Sequence, residues 1–532
     1  MTRILKTLLL SVVISIAVAE TVHTPVKEKR REGLETDSVV NTRRVHPTDV
    51  QKEMMEQINT AMGAEGCLIS LPRRLSESEM TDDDRVYRIE DIVKRVQVDR
   101  RVMVTYMNYP YLDQFYVSYM TSRLWRYRNF MVVALDQETY DILHYQGFPV
   151  ALIKTEVIPQ YKRTTVSNYG DHNFNVLVKL KLVLFHKILS MGVSCLFFDS
   201  DIILFKDPFS GFPQPEDYDF VAQRDEHICT GFMYFRPTKN SFDLLKRSLQ
   251  TMEGREMNDQ DAIQEIVMQN RIRDLKWHYL DDNAYSKGSI FFTAHQFPWT
   301  PVSPSQIMAH NNYVISHVNK MYRLKEAGLY AFDVNHEYSD PDATYITLEE
   351  YTDRFQDQTM EMLVRLANAL NRHLVVPQLS CVEGLGLVPP CNLCGHQHLY
   401  CMNSILQNAN LPWKEHVFFN NVHVPDDVKV SYLTTPIVYL VRSESQCARK
   451  LQDQKANSLC IFYKSSTIST DDVKELFEEL QHEKVIRIKS IPVDFTVNCP
   501  VCWNKKGPSG ESNSGPLAPK ARIIPLDHKA AA

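Results

Sequence analysis

The chain has 532 residues, of which 44% are hydrophobic and 23% are charged, and its formal net charge is −6. This length predicts two or three domains, and the composition is typical of a globular protein. A mildly acidic chain offers no overall attraction to nucleic acid or to an anionic membrane. We therefore expect no nucleic-acid partner, and any nucleotide must bind in a local pocket.

The first 19 residues predict a targeting segment. Arg3 and Lys6 precede an apolar run at 8–19, and the sequence Ala-Val-Ala at 17–19 is typical of a signal-peptide cleavage site. The run is shorter than the roughly 20 apolar residues that a membrane span needs. We expect a cleaved signal peptide, with an uncleaved N-terminal anchor as the alternative and no other membrane span. Both alternatives predict the lumen of the Golgi or endoplasmic reticulum, or secretion.

Residues 20–97 are polar and charge-dense, which favours a solvated stem with some helix near 50–62. Between 98 and 335 the pattern alternates between strands and helices. Such alternation predicts βαβ units and a doubly wound, mostly parallel α/β sheet. The strands are expected at 102–106, 130–135, 149–153, 218–223 and 230–236 and in a segment that ends at 199, and the helices at 112–125, 137–145, 240–252 and 259–270 and from about 173.

A smaller, cysteine-rich C-terminal domain is predicted at 355–505, with a helix at 359–370 and a strand at 373–378. Eight of the 11 cysteines lie between 381 and 502, which in an oxidising lumen predicts up to four disulfides. A zinc site built from Cys391, Cys394, Cys499 and Cys502 is the alternative. The odd number of cysteines leaves at least one free thiol, expected at the buried Cys195. The tail at 506–532 is rich in Gly, Ser and Pro and is predicted to be disordered.

The most informative motif is the run CLFFDSDIIL at 195–204, in which an apolar stretch ends at Asp199 and Asp201. Residues i and i+2 of an extended segment point to the same side, so both carboxylates can face one cation. Hard divalent metals bind carboxylate oxygens and leave positions for phosphate, and ligands of open α/β sheets bind where strands end. The motif predicts a metal–diphosphate site; the alternative is a turn whose two acids face water.

The flanks of this motif read NFNVLVKLKLVLFHKILSMGVSCLFFDSDIILFKDP at 173–208. This segment resembles the nucleotide-diphospho-sugar transferase family, GT-A type glycosyltransferases that include retaining xylosyl-, galactosyl- and arabinosyltransferases. The resemblance is clearest from about 102 to 330 and thinner from 360 to 430. It implies a GT-A-like catalytic domain, a nucleotide-sugar donor, a glycan or glycoprotein acceptor, and Mn²⁺ or Mg²⁺ as cofactor.

The same resemblance implies roles for the residues that would hold the metal and the diphosphate. Asp199 and Asp201 contact the metal, and Asp199 also approaches the ribose. His310 completes the metal shell and Lys320 faces the diphosphate. His317 is the alternative for both duties, and a surface loop would also explain a histidine at 310.

Further site residues follow from shorter matches to the family. The run TGFMYF at 230–235 resembles an Asn-Thr-Gly-Phe strand in which Cys229 replaces the asparagine, so the donor preference is in doubt. Gly231 allows close approach to the sugar, or marks a bulge. Two acids that open a helix, Asp259 and Asp261, lie beside the donor sugar or simply cap the helix. Asp225 is a candidate contact for a sugar hydroxyl.

The nucleotide base is expected over the end of the first strand. Thr105, Asn108 and Tyr109 occupy the matching segment, and Lys179 begins the Lys-Leu-Lys part of the long helix. An ordinary core strand and helix surface would explain these residues equally well.

Together the motifs and the family resemblance predict a metal-dependent glycosyltransferase that transfers a sugar, most simply from a UDP donor. The resemblance also implies retention of configuration. No residue is identified as a covalent nucleophile. Two alternatives remain: a hydrolase or phosphotransferase that uses the acid pair for Mg²⁺, and a catalytically silent glycan-binding or scaffold protein on the same fold.

Overall fold

The computed structural model describes residues 47–65, 88–153, 172–255, 257–295, 298–314, 317–349, 356–377, 406, 409, 411–452, 457–492 and 494–499. The predicted targeting segment, the C-terminal tail and three of the four cysteines of the zinc alternative (Cys391, Cys394 and Cys502) lie outside the described residues.

The strands and helices are numbered in chain order. The strands are β1 (Arg101–Met107), β2 (Phe130–Ala134), β3 (Val150–Leu152), β4 (Ser194–Phe198), β5 (Ile202–Leu204), β6 (Phe220–Arg224), β7 (Ile228–Phe235), β8 (Trp277–Tyr279), β9 (Tyr285–Ser286), β10 (Met308–His310), β11 (Tyr345–Leu348), β12 (His373–Val375), β13 (Trp413–Lys414), β14 (Ile437–Val441), β15 (Ser458–Phe462), β16 (Thr467–Ser469), β17 (Val485–Ile488) and β18 (Thr496–Asn498). The helices are α1 (Asp49–Ala64), α2 (Ile89–Val96), α3 (Leu112–Ser122), α4 (Gln137–Tyr145), α5 (His172–Leu189), α6 (Lys239–Thr251), α7 (Asp259–Met268), α8 (Gly288–Ala294), α9 (His317–Glu326), α10 (Gln356–Ala369), α11 (Asp426–Thr434), α12 (Glu444–Gln452) and α13 (Thr470–Leu476).

A seven-stranded sheet in the order β3-β2-β1-β4-β7-β6-β8 forms the centre of the first part of the chain. Only β7 runs antiparallel to its neighbours. Along β4, Cys195 and Phe197 pack into one apolar core, whereas Leu196 and Phe198 pack into the core on the opposite face. Because both faces are covered, the predicted doubly wound, mostly parallel sheet is confirmed.

Two helices lie in the region predicted as a solvated stem, and both are packed. Helix α1 buries Met54 and Ile58, and α2 buries Ile92 and Val93. Their apolar residues recur at helical spacing, so each helix presents an apolar stripe to the core although its overall composition is polar. The helix expected near 50–62 is therefore present as α1, but both helices pack against apolar cores instead of being solvated.

A small three-stranded sheet, in the order β5-β10-β9, follows the acid pair. Strand β10 pairs antiparallel with β5 and parallel with β9. The three strands of this small sheet have two or three residues each and lie far apart in the sequence. The sequence analysis did not predict this sheet, because such short strands give no periodic signal.

The C-terminal region contains a six-stranded sheet in the order β13-β12-β11-β17-β14-β15, and all of its pairings are parallel. The predicted helix and strand near 359–378 are present as α10 and β12. The sheet begins at Tyr345, before the predicted boundary at 355. The region therefore has an α/β core of its own, which its cysteine content did not reveal.

The described cysteines agree with the disulfide prediction. Cys447 and Cys460 form a disulfide, and Cys499 is also disulfide-bonded, which contradicts its use in the alternative zinc site. Among the described cysteines, Cys195 and Cys229 are free and buried, so the free thiol predicted at Cys195 is confirmed. The helices within the described segments include none that is both long and apolar enough to span a membrane.

Candidate active site

The acid pair lies in a tight turn between β4 and β5. The Asp199 N–H donates to the Gly231 carbonyl oxygen at 2.8 Å, and the Ile202 N–H donates to the Asp199 carbonyl oxygen at 3.1 Å. The turn differs from the extended segment assumed in the sequence analysis. It buries the Asp201 side chain to 3% exposure and leaves that of Asp199 36% exposed.

The small sheet brings His310 to the acid pair. The β10–β5 register places His310 opposite Ile202, the residue that follows Asp201. His310 Nε2 lies 3.3 Å from Asp201 Oδ1 and 4.0 Å from Asp199 Oδ2. One ligand atom from each of these three residues lies within 4.8 Å of the other two. Two carboxylates and one imidazole make a donor set that fits a divalent cation.

The orientation of His310 is fixed from the side opposite the acids. Its Nδ1 lies 2.9 Å from Gln223 Oε1, and Gln223 Nε2 donates to the Tyr285 carbonyl oxygen at 3.1 Å. Because Gln223 presents its oxygen, the His310 Nδ1–H donates to it, and Nε2 faces the carboxylates, the orientation found in metal-binding histidines. Burial disfavours the imidazolium form, but the Asp201 carboxylate raises the pKa of His310 to about 10. The sequence analysis missed Gln223, whose position in a strand gave no signal.

Because Gly231 has no side chain, the side chains of Asp199 and His310 can occupy the space beside it. A Cβ atom at this position would lie 2.4 Å from His310 Cε1 and 2.7 Å from Asp199 Oδ2. Separations below about 3.0 Å require the neighbouring atoms to move. The close approach predicted at this strand glycine is therefore made by two side chains of the site itself.

Lys320 lies on the other side of the buried carboxylate. Its Nζ is 2.6 Å from Asp201 Oδ2. Burial disfavours the charged carboxylate, but the charges of Lys320 and His310 hold the pKa of Asp201 below its ordinary value. The Lys320 side chain is partly exposed, so its ammonium group can also meet a ligand from solvent.

Asn311, which directly follows His310, ties α9 to the acid turn. Its N–H donates to the Asp201 carbonyl oxygen at 3.0 Å, and its Nδ2 donates to the Lys320 carbonyl oxygen at 3.0 Å. Its Oδ1 accepts from Arg323 Nε at 2.7 Å. This buried residue therefore positions the helix that carries Lys320, a role that the sequence analysis did not assign.

A buried lysine, Lys181, lies close to the Asp199 carboxylate. Lys181 Nζ lies 3.6 Å from Asp199 Oδ1 and 3.3 Å from Asp259 Oδ2, and it donates to the Thr230 carbonyl oxygen at 3.1 Å. Burial opposes the ammonium form of Lys181, but the two carboxylates raise its pKa above the usual range. The predicted Lys179 is half-buried on α5, about 200° around the helix from Lys181, because residues two apart do not share a face. Lys181, and not the predicted Lys179, is therefore the lysine that contacts the acids.

The two acids that open α7 have different surroundings. Asp259 is buried beside Lys181, and burial raises the pKa of Asp259 above its ordinary value. Asp261 is exposed, and its N–H donates to Asn258 Oδ1 at 2.7 Å in a helix cap. The fold brings Asp259 to the acid turn and leaves Asp261 at the helix surface.

Two further candidate residues, Asp225 and His317, form their hydrogen bonds with residues other than Asp199, Asp201 and His310. Asp225 lies in the turn after β6 and accepts a hydrogen bond from the Tyr313 hydroxyl. His317 Nε2 lies 2.7 Å from Asp113 Oδ2. The geometry therefore brings His310, rather than His317, to the acid pair.

The predicted base-binding residues lie at the end of β1, which is parallel to β4. Thr105 and Asn108 are buried. Thr105 Oγ1 has no hydrogen-bond partner among the described residues. The Tyr109 N–H donates to Asp136 Oδ2 at 2.8 Å. Since the carboxyl ends of parallel strands meet at one edge, this segment lies on the same edge of the sheet as the acid pair.

The candidate metal ligands lie within a segment that matches a known protein family. The family model of nucleotide-diphospho-sugar transferases matches residues 126–324. This segment belongs to that family. The transferase segment contains the acid pair, His310 and Lys320, whereas the residues at the end of β1 precede it.

Relatives of the transferase segment are glycosyltransferases. An arabinosyltransferase of Arabidopsis thaliana is 21% identical over 467 residues, covering 75% of this chain and 70% of the relative. A UDP-galactose:fucoside alpha-3-galactosyltransferase of Dictyostelium discoideum is 23% identical over 190 residues, covering 31% of this chain and 29% of the relative. A crystal structure of mouse xyloside xylosyltransferase 1 matches with a TM-score of 0.27 and 14% identity, covering 40% of this chain and 98% of that chain.

Proposed function

We propose that this protein is a metal-dependent glycosyltransferase that moves a sugar from a UDP-linked donor to a hydroxyl of a glycan or glycoprotein, with retention of configuration. The observation that carries the proposal is the convergence of Asp199, Asp201 and His310 directly beside the partly exposed Lys320. A divalent cation held there would neutralise charge on the donor diphosphate and on the departing nucleotide.

The residues of this chain then have separate duties. Asp199, Asp201 and His310 Nε2 would hold the cation, and Gln223 keeps the His310 ring in the correct orientation. Lys320 offers its ammonium group to the diphosphate, while Lys181 compensates the charge of Asp199 when no cation is bound. Asp259 belongs to the same group of charges and is the acid we assign to the donor-sugar side.

The proposed reaction balances without a further reactant. The bond between the anomeric carbon and the diphosphate oxygen breaks, and UDP leaves with the electron pair. The acceptor oxygen bonds to the anomeric carbon from the same face, and its proton passes to the departing phosphate oxygen. The name of the Dictyostelium relative specifies UDP-galactose as the donor, which supports a UDP-linked donor for this chain. Retention rests on the family resemblance.

Linked binding of nucleotide and metal tests the proposal. A ligand that binds only the folded state stabilises it by about 2.7 kcal/mol when its concentration is 100 times Kd. UDP with Mn²⁺ should therefore raise the melting temperature more than the sum of the separate shifts. His310→Ala should abolish this synergy, whereas the matched control His317→Ala, which removes a histidine outside the acid group, should retain it.

The alternatives give different results in the melting-temperature assay or in an assay of the reaction products. A silent glycan-binding protein would be stabilised by oligosaccharide and stay indifferent to UDP and Mn²⁺. A hydrolase or phosphotransferase would consume UDP-sugars without forming a new glycosidic bond, which mass spectrometry of the products detects. Absence of any metal-dependent shift with a nucleoside diphosphate would refute the transferase proposal.

We also place the protein in the lumen of the secretory pathway. The Cys447–Cys460 disulfide supports an oxidising compartment. Mass spectrometry of the secreted or Golgi-enriched fraction, with mapping of the mature N-terminus, would test both the compartment and the predicted cleavage after residue 19.

A further inference from the structure

Asp225, Lys287 and Tyr313 form a compact polar cluster beside the candidate metal group. The Tyr313 hydroxyl donates to Asp225 Oδ1, Lys287 Nζ lies 3.7 Å from the same oxygen, and Lys287 Nζ lies 5.4 Å from the centre of the Tyr313 ring. From the sequence, only Asp225 of these three residues was a candidate for sugar binding.

The cluster lies on the same edge of the sheet as the acid pair. Strands β4 and β6 both run antiparallel to β7, so they are parallel to each other and their carboxyl ends share one edge. Asp199 follows β4 and Asp225 follows β6. Two short connections also join the cluster to His310: Tyr313 is three residues beyond it, and Gln223, which contacts its Nδ1, is two residues before Asp225.

One oxygen of Asp225 is fully occupied and the other is available. Oδ1 receives the Tyr313 hydroxyl, the Glu226 N–H at 2.8 Å and the Lys287 ammonium group. Among the described residues, no hydrogen bond or ion pair involves Asp225 Oδ2. The carboxylate is therefore held rigidly with one oxygen left to accept hydrogen bonds from a ligand.

Tyr313 is held in an unfavourable backbone conformation with its ring accessible. Its φ is 62°, in the left-handed region that a bulky residue rarely adopts, and the residue remains 38% exposed. Such conformations cost free energy and persist where the surroundings impose them, often at ligand sites. An accessible aromatic ring next to a free carboxylate oxygen matches the C–H face and the hydroxyl groups of a sugar ring.

We propose that Tyr313, Asp225 and Lys287 form the subsite for the acceptor sugar, with Tyr313 as the stacking platform and Asp225 Oδ2 as acceptor for two neighbouring sugar hydroxyls. The carboxylate and the ammonium group balance in charge, so the expected ligand is a neutral terminal sugar of a glycan. This inference rests on the proposed transferase function, because it assigns the second substrate of the same reaction.

A neutral-oligosaccharide array, probed in the presence of UDP and Mn²⁺, tests the subsite. Tyr313→Ala and Asp225→Asn should each weaken binding to the glycans that the wild-type protein recognises by about tenfold or more, because each loses contacts to the sugar. Tyr145→Ala removes another exposed tyrosine, on α4, and should bind like the wild type. The melting-temperature shift with UDP and Mn²⁺ should be retained in Tyr313→Ala.

The possible failures are distinguishable. A wild-type protein without a UDP–Mn²⁺ shift refutes the transferase function itself. If that shift is present, wild-type-like glycan binding by Tyr313→Ala overturns the subsite, as does a wild-type protein that binds no neutral glycan. Loss of the UDP–Mn²⁺ shift in Tyr313→Ala would assign the residue to the donor side and would likewise overturn the proposal.

Discussion

Asp201 and Lys320 are joined by a 2.6 Å contact between carboxylate Oδ2 and ammonium Nζ, while the other oxygen of the same carboxylate lies 3.3 Å from His310. The buried acid therefore has a cationic partner at each oxygen. This arrangement explains how a carboxylate with 3% exposure stays ionised. It also places the group that can meet a diphosphate directly beside the group that can hold a cation.

Asp201→Asn should lower Mn²⁺-dependent turnover of the nucleotide sugar by about 100-fold or more, because the transition state loses charge stabilisation. The variant should remain folded, since asparagine has the same shape and can still accept from Lys320. Steady-state assays with circular dichroism would measure both effects. Asp261→Asn, at the exposed surface of α7, is the matched control and should retain normal turnover.

Gly231→Ala should abolish Mn²⁺ binding while the protein stays folded. The added Cβ atom would lie 2.4 Å from His310 Cε1 and 2.7 Å from Asp199 Oδ2, so it displaces two of the three ligand side chains. Isothermal titration with Mn²⁺ measures the effect. Gly63→Ala is the control, because a Cβ atom in that part of α1 meets nothing within 4 Å. Unchanged Mn²⁺ affinity in Gly231→Ala would exclude this geometry for the metal site.

Lys181→Met should lower the free energy of unfolding by about 3–5 kcal/mol, because removing one partner leaves the buried Asp259 uncompensated. Urea titration followed by circular dichroism would measure the loss. Lys179→Met, on a half-buried position of the same helix, should change stability by no more than about 0.5 kcal/mol. Equal effects of the two substitutions would contradict the assignment of the buried lysine.

Glu337 should contribute stability that depends on pH. Its Oε1 lies 2.5 Å from Lys325 Nζ on α9 and 3.7 Å from Lys414 Nζ on β13. Burial disfavours its charged form, but the two lysines hold the pKa of Glu337 below the ordinary value of 4.5. Because the folded pKa is the lower one, this contribution is complete above about pH 4.5 and is lost as pH falls through the folded pKa.

Glu337→Gln should therefore melt at a lower temperature than the wild type at pH 7, and the difference should narrow below about pH 4.5. Melting curves of both proteins between pH 7 and pH 3.5 would measure this. Glu56→Gln, on the exposed side of α1, should follow the wild-type curve. A difference that stays constant over the whole range would contradict the role of this ion pair.

Much of the first sheet could be predicted from the sequence. The helix expected at 137–145 is α4 over the same residues, and the helix expected at 259–270 begins at Asp259 as predicted. Both helices begin directly after a capping side chain, Asp136 or Asn258, so local periodicity and capping chemistry determine them. The C-terminal sheet was largely missed, because short buried strands such as Ile437–Val441 are continuous apolar runs, which periodicity alone cannot distinguish from a buried helix segment.

The sequence by itself determined the chemistry of the candidate site: two carboxylates one residue apart after an apolar strand, a later histidine and a later lysine. Only the tertiary structure decided which of the candidate residues lie close to the acid pair. The β5–β10 register selected His310 over His317, and the helical twist between Lys179 and Lys181 selected the buried lysine. Gln223 and Asn311 became visible only there, because a hydrogen bond between distant segments leaves no pattern in the sequence.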